Sequence, residues 1–157
     1  MRTEHTVRAP LDVTGIPNKA KIKDVNVQIR TQKTGAQAAN RDLEIHLATP
    51  RGVIRLSTDN GDVSDGYGSG STSCAGGLVS FDSQAGTSIL NAPAGTQTNT
   101  TGTFAPEESL NVLRGLKGTK AKVPWTLIVA DDDAVGTQSL HCFQLEIKYK
   151  KKGKKKK

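Results

Sequence analysis

The chain has 157 residues, 34% of them hydrophobic and 24% charged, an ordinary globular composition with enough length for one domain to bury its own core. No apolar run approaches the ~20 residues that cross a bilayer as a helix, and Met1-Arg2-Thr3-Glu4-His5 leads into polar sequence without the apolar stretch of a signal peptide. The net charge of +7 sits at one end: removing the eight lysines at 148, 150–152 and 154–157 from the 22 basic residues leaves 14 against 15 acidic ones. A near-neutral body with a cationic peptide attached lacks the spread basic excess of a nucleic-acid-binding fold. The expectation for location is a protein that stays where it is made, or a chain whose signal has been removed.

In chain order, the clearest segments alternate with period two, as half-buried strands do. His5 to Val13 reads as a first strand, which Pro10 assigns to an edge or a bulge. Val25, Val27 and Ile29 share one face, and Leu43, Ile45 and Leu47 repeat the pattern. Thr49-Pro50-Arg51-Gly52 is a tight turn into Val53-Ile54-Arg55-Leu56. Asp59 to Ser71 and Asn91 to Gly102 read as long polar loops on either side of Leu78-Val79-Ser80-Phe81. Glu107 to Leu113 offers one helical turn after Pro106. Trp125 to Val129 and the Phe143, Leu145, Ile147, Tyr149 alternation supply the last strands. Strands spaced by turn signals, with no long amphipathic helix, predict an all-β sandwich or jelly roll.

The order of motifs narrows this. Asp42 to Gly52 (DLEIHLATPRG) resembles the "DL-x-I-x-L-x-SP-x-G" segment of the P domain, or P/Homo B domain, of proprotein convertases and bacterial subtilisin-like serine proteases. Phe81-Asp82-Ser83-Gln84-Ala85 is similar to its "FDDEA" segment, and Gly102-Thr103-Phe104-Ala105-Pro106, with Leu110 and Gly115, to its "GxYxP…L…G" stretch. Trp125 to Asp131 resembles its "WTLxVxD" strand, and Leu140 to Ile147 its final strand. Pro124 stands where that family has Gly, and Ser83 where it has an acid. The resemblance spans about residues 11–149 and implies a jelly-roll-like sandwich of about eight strands. It also implies a non-catalytic role, in which the domain packs on a protease catalytic domain and stabilises it. The domain division that follows is a P-domain-like sandwich over 1–149 and a low-complexity tail over 150–157, disordered unless a partner orders it.

No catalytic constellation is legible. The histidines are His5, His46 and His141; no G-x-S-x-G elbow or phosphate loop is present, and Cys142 beside His141 points to the opposite strand face. Asp131, Asp132 and Asp133, with Asp82 as the family-matched acid, are candidate calcium ligands, since calcium takes 6–8 oxygen donors; the competing reading is a solvated acidic turn. Cys74 and Cys142 are either buried free thiols or one disulfide, depending on compartment. Trp125 reads as a core residue. Asn99-Thr100-Thr101 is a glycosylation sequon, relevant only in a eukaryotic secretory setting.

Lys150, Lys151, Lys152, Lys154, Lys155, Lys156 and Lys157 read as a polyanion-binding tail that neutralises phosphates or carboxylates as point charges; the competing reading is a solubilising end, natural or engineered, with no partner. The expected partner is a protease catalytic domain or, in the alternative, a nucleoprotein or acidic assembly on which the chain is a standalone structural protein. No cofactor is certain beyond the candidate calcium.

Overall fold

The computed structural model describes residues 5–34, 39–61, 66–70, 73–92, 100–132 and 137–151. Two four-stranded sheets pack face to face. The first has the order β1 (His5–Asp12), β9 (Pro124–Asp131), β3 (Leu43–Thr49), β4 (Gly52–Thr58), all antiparallel. The second has the order β10 (Thr137–Lys150), β2 (Lys21–Thr34), β7 (Val79–Phe81), β8 (Gly102–Phe104), its last pair parallel. A small pair, β5 (Ser69–Gly70) and β6 (Gly76–Gly77), lies outside both sheets. Chain-distant strands are neighbours, β1 with β9 and β2 with β10, so the first and last strands are both woven into the sandwich.

The period-two segments became strands because each has one face to bury. Val25, Val27 and Ile29 on β2 face Leu43, Ile45, Leu47, Trp125 and Leu127 of the other sheet in one core cluster. Phe143, Leu145 and Ile147 pair with Ile29, Val27 and Val25, but on an edge strand they are only half-buried. Trp125 is fully buried and its indole N–H donates to the Ala121 carbonyl at 3.0 Å, so the sole tryptophan is a core residue with its polar handle satisfied. β1 is indeed an edge, with Pro10 opposite Thr126.

The other edge of the first sheet, β4, is closed by side chains. The Arg55 amide donates to Glu108 Oε2 at 2.7 Å and the Thr58 amide to Glu107 Oε1 at 2.6 Å. Two glutamates thus occupy the outward N–H groups that an incoming strand would need.

Three details differ from the sequence reading. Tyr67, assigned to a polar loop, is fully buried against Phe81, with ring centroids 6.5 Å apart. Its hydroxyl lies 3.1 Å from Ser57 Oγ and donates to the Asn60 carbonyl at 3.1 Å. An aromatic inside a glycine-rich run pins that run to the core. The turn after Pro106 is a 3₁₀ turn, Leu110–Leu113, capped by Ser109, and a four-residue helix α1 (Gly118–Ala121) follows it. Finally, β10 extends to Lys150, one residue into the segment read as tail, because Lys150 pairs with Lys21.

Candidate functional site

The body has seven lysines before residue 148, at positions 19, 21, 23, 33, 117, 120 and 122. Six of them come from two short segments, 19–23 and 117–122, and the fold brings these together. The Ile22 amide donates to the Leu116 carbonyl at 2.9 Å, Gly115 to Ile22 at 2.8 Å, and Gly118 to Ala20 at 2.9 Å. Gly118 is required by proximity: a Cβ there would fall 2.0 Å from the Pro17 carbonyl oxygen. No other residue type allows so close a backbone approach.

This docking lines up three lysines. Lys21 pairs with Lys150 on β10 at one side and bridges to Lys117 at the other. Residues directly opposite in a ladder project from the same face, and like charges placed there are destabilising. Lys150, Lys21 and Lys117, joined by Lys19, Lys151, Asn18 and Thr119, line one open groove of about 780 Å³. Lys122 Nζ donates to Asn18 Oδ1. None of the six body lysines in these two segments makes an ion pair among the described residues; Lys148 alone nearby has one, to Glu146 at 3.8 Å. The field at this end of the sandwich is therefore strongly positive.

Sequence counting missed this. The body carries as many acids as bases, and acids elsewhere cancel the clustered lysines in any sum. The legible signal was local: two short runs dense in lysine, the first alternating Lys19, Lys21, Lys23 as on one strand face. Lys150 and Lys151 of the tail join the groove; Lys152 and Lys154–Lys157 lie outside the described residues.

Among the described residues, the predicted calcium ligands Asp82, Asp131 and Asp132 do not form one cluster. Asp82 ends β7 in a local turn, its Oδ1 accepting the Gln84 amide at 2.8 Å. Asp131 is buried on the β9 rung between His5 and Leu43. Asp133 lies outside the described residues. Among the described residues Asp132 joins a cluster, with Asp59, which heads a calcium-like acidic run in the sequence, and with Glu44, which nothing in the sequence singled out: carboxylate oxygens of the three lie within 4.8 Å of one another. Three hard oxygen donors are half or fewer of what calcium takes. Burial first, then the charges of Asp132 and Glu107, raise the Asp59 carboxyl above its usual range. Asp59 also has φ 56°, the left-handed region that Asp and Asn tolerate.

Glu107 shows the opposite balance. Burial works to raise its carboxyl, but the Thr58 amide and hydroxyl, the Asn60 amide and the Arg55 charge together hold it below the usual range. Arg55 Nε sits 3.2 Å from Oε2, and Asn60 Nδ2 donates to Oε1 at 2.7 Å. The Tyr67 phenol beneath is pushed up to about 12, chiefly by burial.

Cys74 and Cys142 are bonded to each other across 68 positions of sequence. That uses both cysteines of the chain, so no free thiol stands beside His141. The sequon's Thr100 is buried, its hydroxyl accepting from Asn40 Nδ2 at 2.9 Å, while Asn99 lies outside the described residues.

The fold and site define an all-β sandwich with one cationic end. No family model, curated protein or solved structure matches the chain.

Proposed function

We propose that this chain is a non-catalytic docking module, P-domain-like in sequence, that attaches to an acidic partner through the lysine-bearing end of its sandwich. One observation carries the reading. Six body lysines make no ion pair among the described residues, and three of them line one groove with Lys150 and Lys151, where the lysine tail begins. The described lysines, Lys150 and Lys151 included, then form one cationic surface, and its attraction for an acidic face sets encounter rate and orientation rather than sequence readout.

A non-catalytic role is supported by the chemistry of what is buried. The sulfurs are tied in a disulfide, and the two strongest polar clusters, around Glu107 and Asn40, are filled with internal hydrogen bonds. The motif resemblance makes a subtilisin-like catalytic domain the first partner to test. The alternative, a structural protein of a nucleoprotein or acidic assembly, uses the same end and differs in the partner.

The test is binding of the full chain to a subtilisin-like catalytic domain and, separately, to duplex DNA, each across a salt series. Docking on the protease predicts saturable binding that raises the protease Tm and weakens steeply with salt. Saturable, salt-steep binding to DNA with no effect on protease Tm selects the assembly reading. Salt-insensitive binding to both rejects the electrostatic end altogether.

A further inference from the structure

We infer that the Lys150–Lys21–Lys117 row is a built site for a ligand carrying two or more closely linked phosphate groups, of the inorganic triphosphate class. The inference rests on the electrostatic reading of the lysine end and names the chemistry that end prefers.

The row is preorganised. Neighbouring chain segments in a sheet lie about 4.8 Å apart, so three ammonium-bearing residues emerge side by side from rigid backbone, and Lys19 and Lys151 complete the groove. The backbone bonds of Ile22, Gly115 and Gly118 fix that spacing. Holding like charges directly opposite one another costs stability, and no ion pair among the described residues relieves it. A groove of about 780 Å³ is within the range of small-ligand sites.

The lining selects the ligand's chemistry. Five lysines line the groove, and the Thr119 hydroxyl beside them can donate as well. Asn18 Oδ1 is engaged by Lys122, which leaves the donor end of that amide for a ligand. An acceptor-rich ligand with several negative charges in a small volume fits five cationic side chains best. A carboxylate brings one charge and two oxygens in a plane. A phosphate group brings up to two charges and a tetrahedral set of oxygens, and lysine binds it as a point charge without needing planar geometry. Linked phosphates match a row of charges better than a single ion does.

The experiment uses the full chain in four forms: unaltered, with Lys152, Lys154, Lys155, Lys156 and Lys157 replaced by Gln, with Lys21→Gln, and with Lys117→Gln. Thermal unfolding is followed with inorganic triphosphate and with citrate at matched ionic strength. Triphosphate should raise the Tm of the unaltered chain and of the tail variant alike. Lys21→Gln should raise the ligand-free Tm, since repulsion is relieved, yet weaken triphosphate binding by on the order of tenfold, the scale of one lost charge-assisted contact. Lys117→Gln should do the same. A tail variant that loses the triphosphate effect, or a Lys21→Gln variant that keeps it, overturns the site. An equal effect of citrate overturns the phosphate class. If the site fails while the full chain still docks on its protein partner with steep salt dependence, the proposed function stands without it; loss of both removes the common premise.

Discussion

Lys150 and Lys21 face each other on the last rung of the β10–β2 ladder, and Lys117 flanks Lys21 from the opposite side. A fold selected only for stability would not place three like charges on adjacent rungs, where each opposed pair costs up to about 1 kcal/mol relative to neutral neighbours. The arrangement makes sense when a partner supplies the missing negative charge. The residue at which the tail begins, Lys150, belongs to a strand of the sandwich.

Gly118 holds that geometry, and its replacement tests the claim. Gly118→Ala would press a methyl group on the Pro17 carbonyl, so the 115–118 segment must lift from residues 17–22. The expected cost is about 1–3 kcal/mol, the usual scale of overpacking, together with weaker binding at the lysine end. Chemical denaturation and a binding isotherm measure the two effects; an Ala variant with unchanged stability contradicts the contact.

Glu107 should make the protein acid-sensitive. Its folded pKa lies below the ordinary 4.5, so its contribution is fully present above the unfolded value and is lost as pH falls through the folded one. Glu107→Gln should cost about 1–3 kcal/mol near neutral pH, the range for hydrogen bonds to a charged group. The gap between the two unfolding curves should close as pH falls below the carboxylate range. A gap that persists undiminished in acid would assign the effect to shape instead.

Asp59 should behave in reverse. Its folded pKa is raised, so its favourable share is present below the unfolded value and is lost as pH rises through the folded one. Asp59→Asn keeps the left-handed backbone and removes the repulsion from Asp132 and Glu107. A gain of about half a kcal/mol or less is expected near neutral pH, the scale of a surface substitution, with none in acid. Denaturant midpoints at two pH values decide it; destabilisation at neutral pH would contradict the crowding of these acids.

The Cys74–Cys142 bond closes a loop spanning 68 positions. Chain entropy assigns roughly 4 kcal/mol to a closure of that length, in the unfolded-state account of disulfides. Unfolding with and without a dithiol reductant measures it. A Tm unchanged by complete reduction would show that this bridge constrains little.

The fold was legible because burial has a period. Val25, Val27, Ile29 and Leu43, Ile45, Leu47 alternate in sequence, and each triplet lies on the inner face of its sheet. Trp125 likewise announced itself as core. Tyr67 did not, because glycines and serines around it signal a loop, and only the long-range contact with Phe81 and Ser57 shows that the loop is anchored. The acidic cluster was partly legible: Asp132 stood out among three adjacent aspartates and Asp59 at the head of an acidic loop, whereas Glu44 joins them through strand pairing that no local pattern encodes. The lysine end is the same case. Lys21, Lys117 and Lys150 are distant in the chain, so their adjacency is a property of topology, and a charge count over the body averages it away.

The central claim is that contact with an acidic partner occurs at this lysine-bearing end. Mapping amide chemical shifts of the isotopically labelled chain during titration with polyglutamate tests it most directly. Perturbation concentrated at residues 18–23, 117–122 and 148–151, reversed by added salt, is the predicted result. Shifts confined to the opposite end of the sandwich, around Glu44, Asp59 and Asp132, would contradict it.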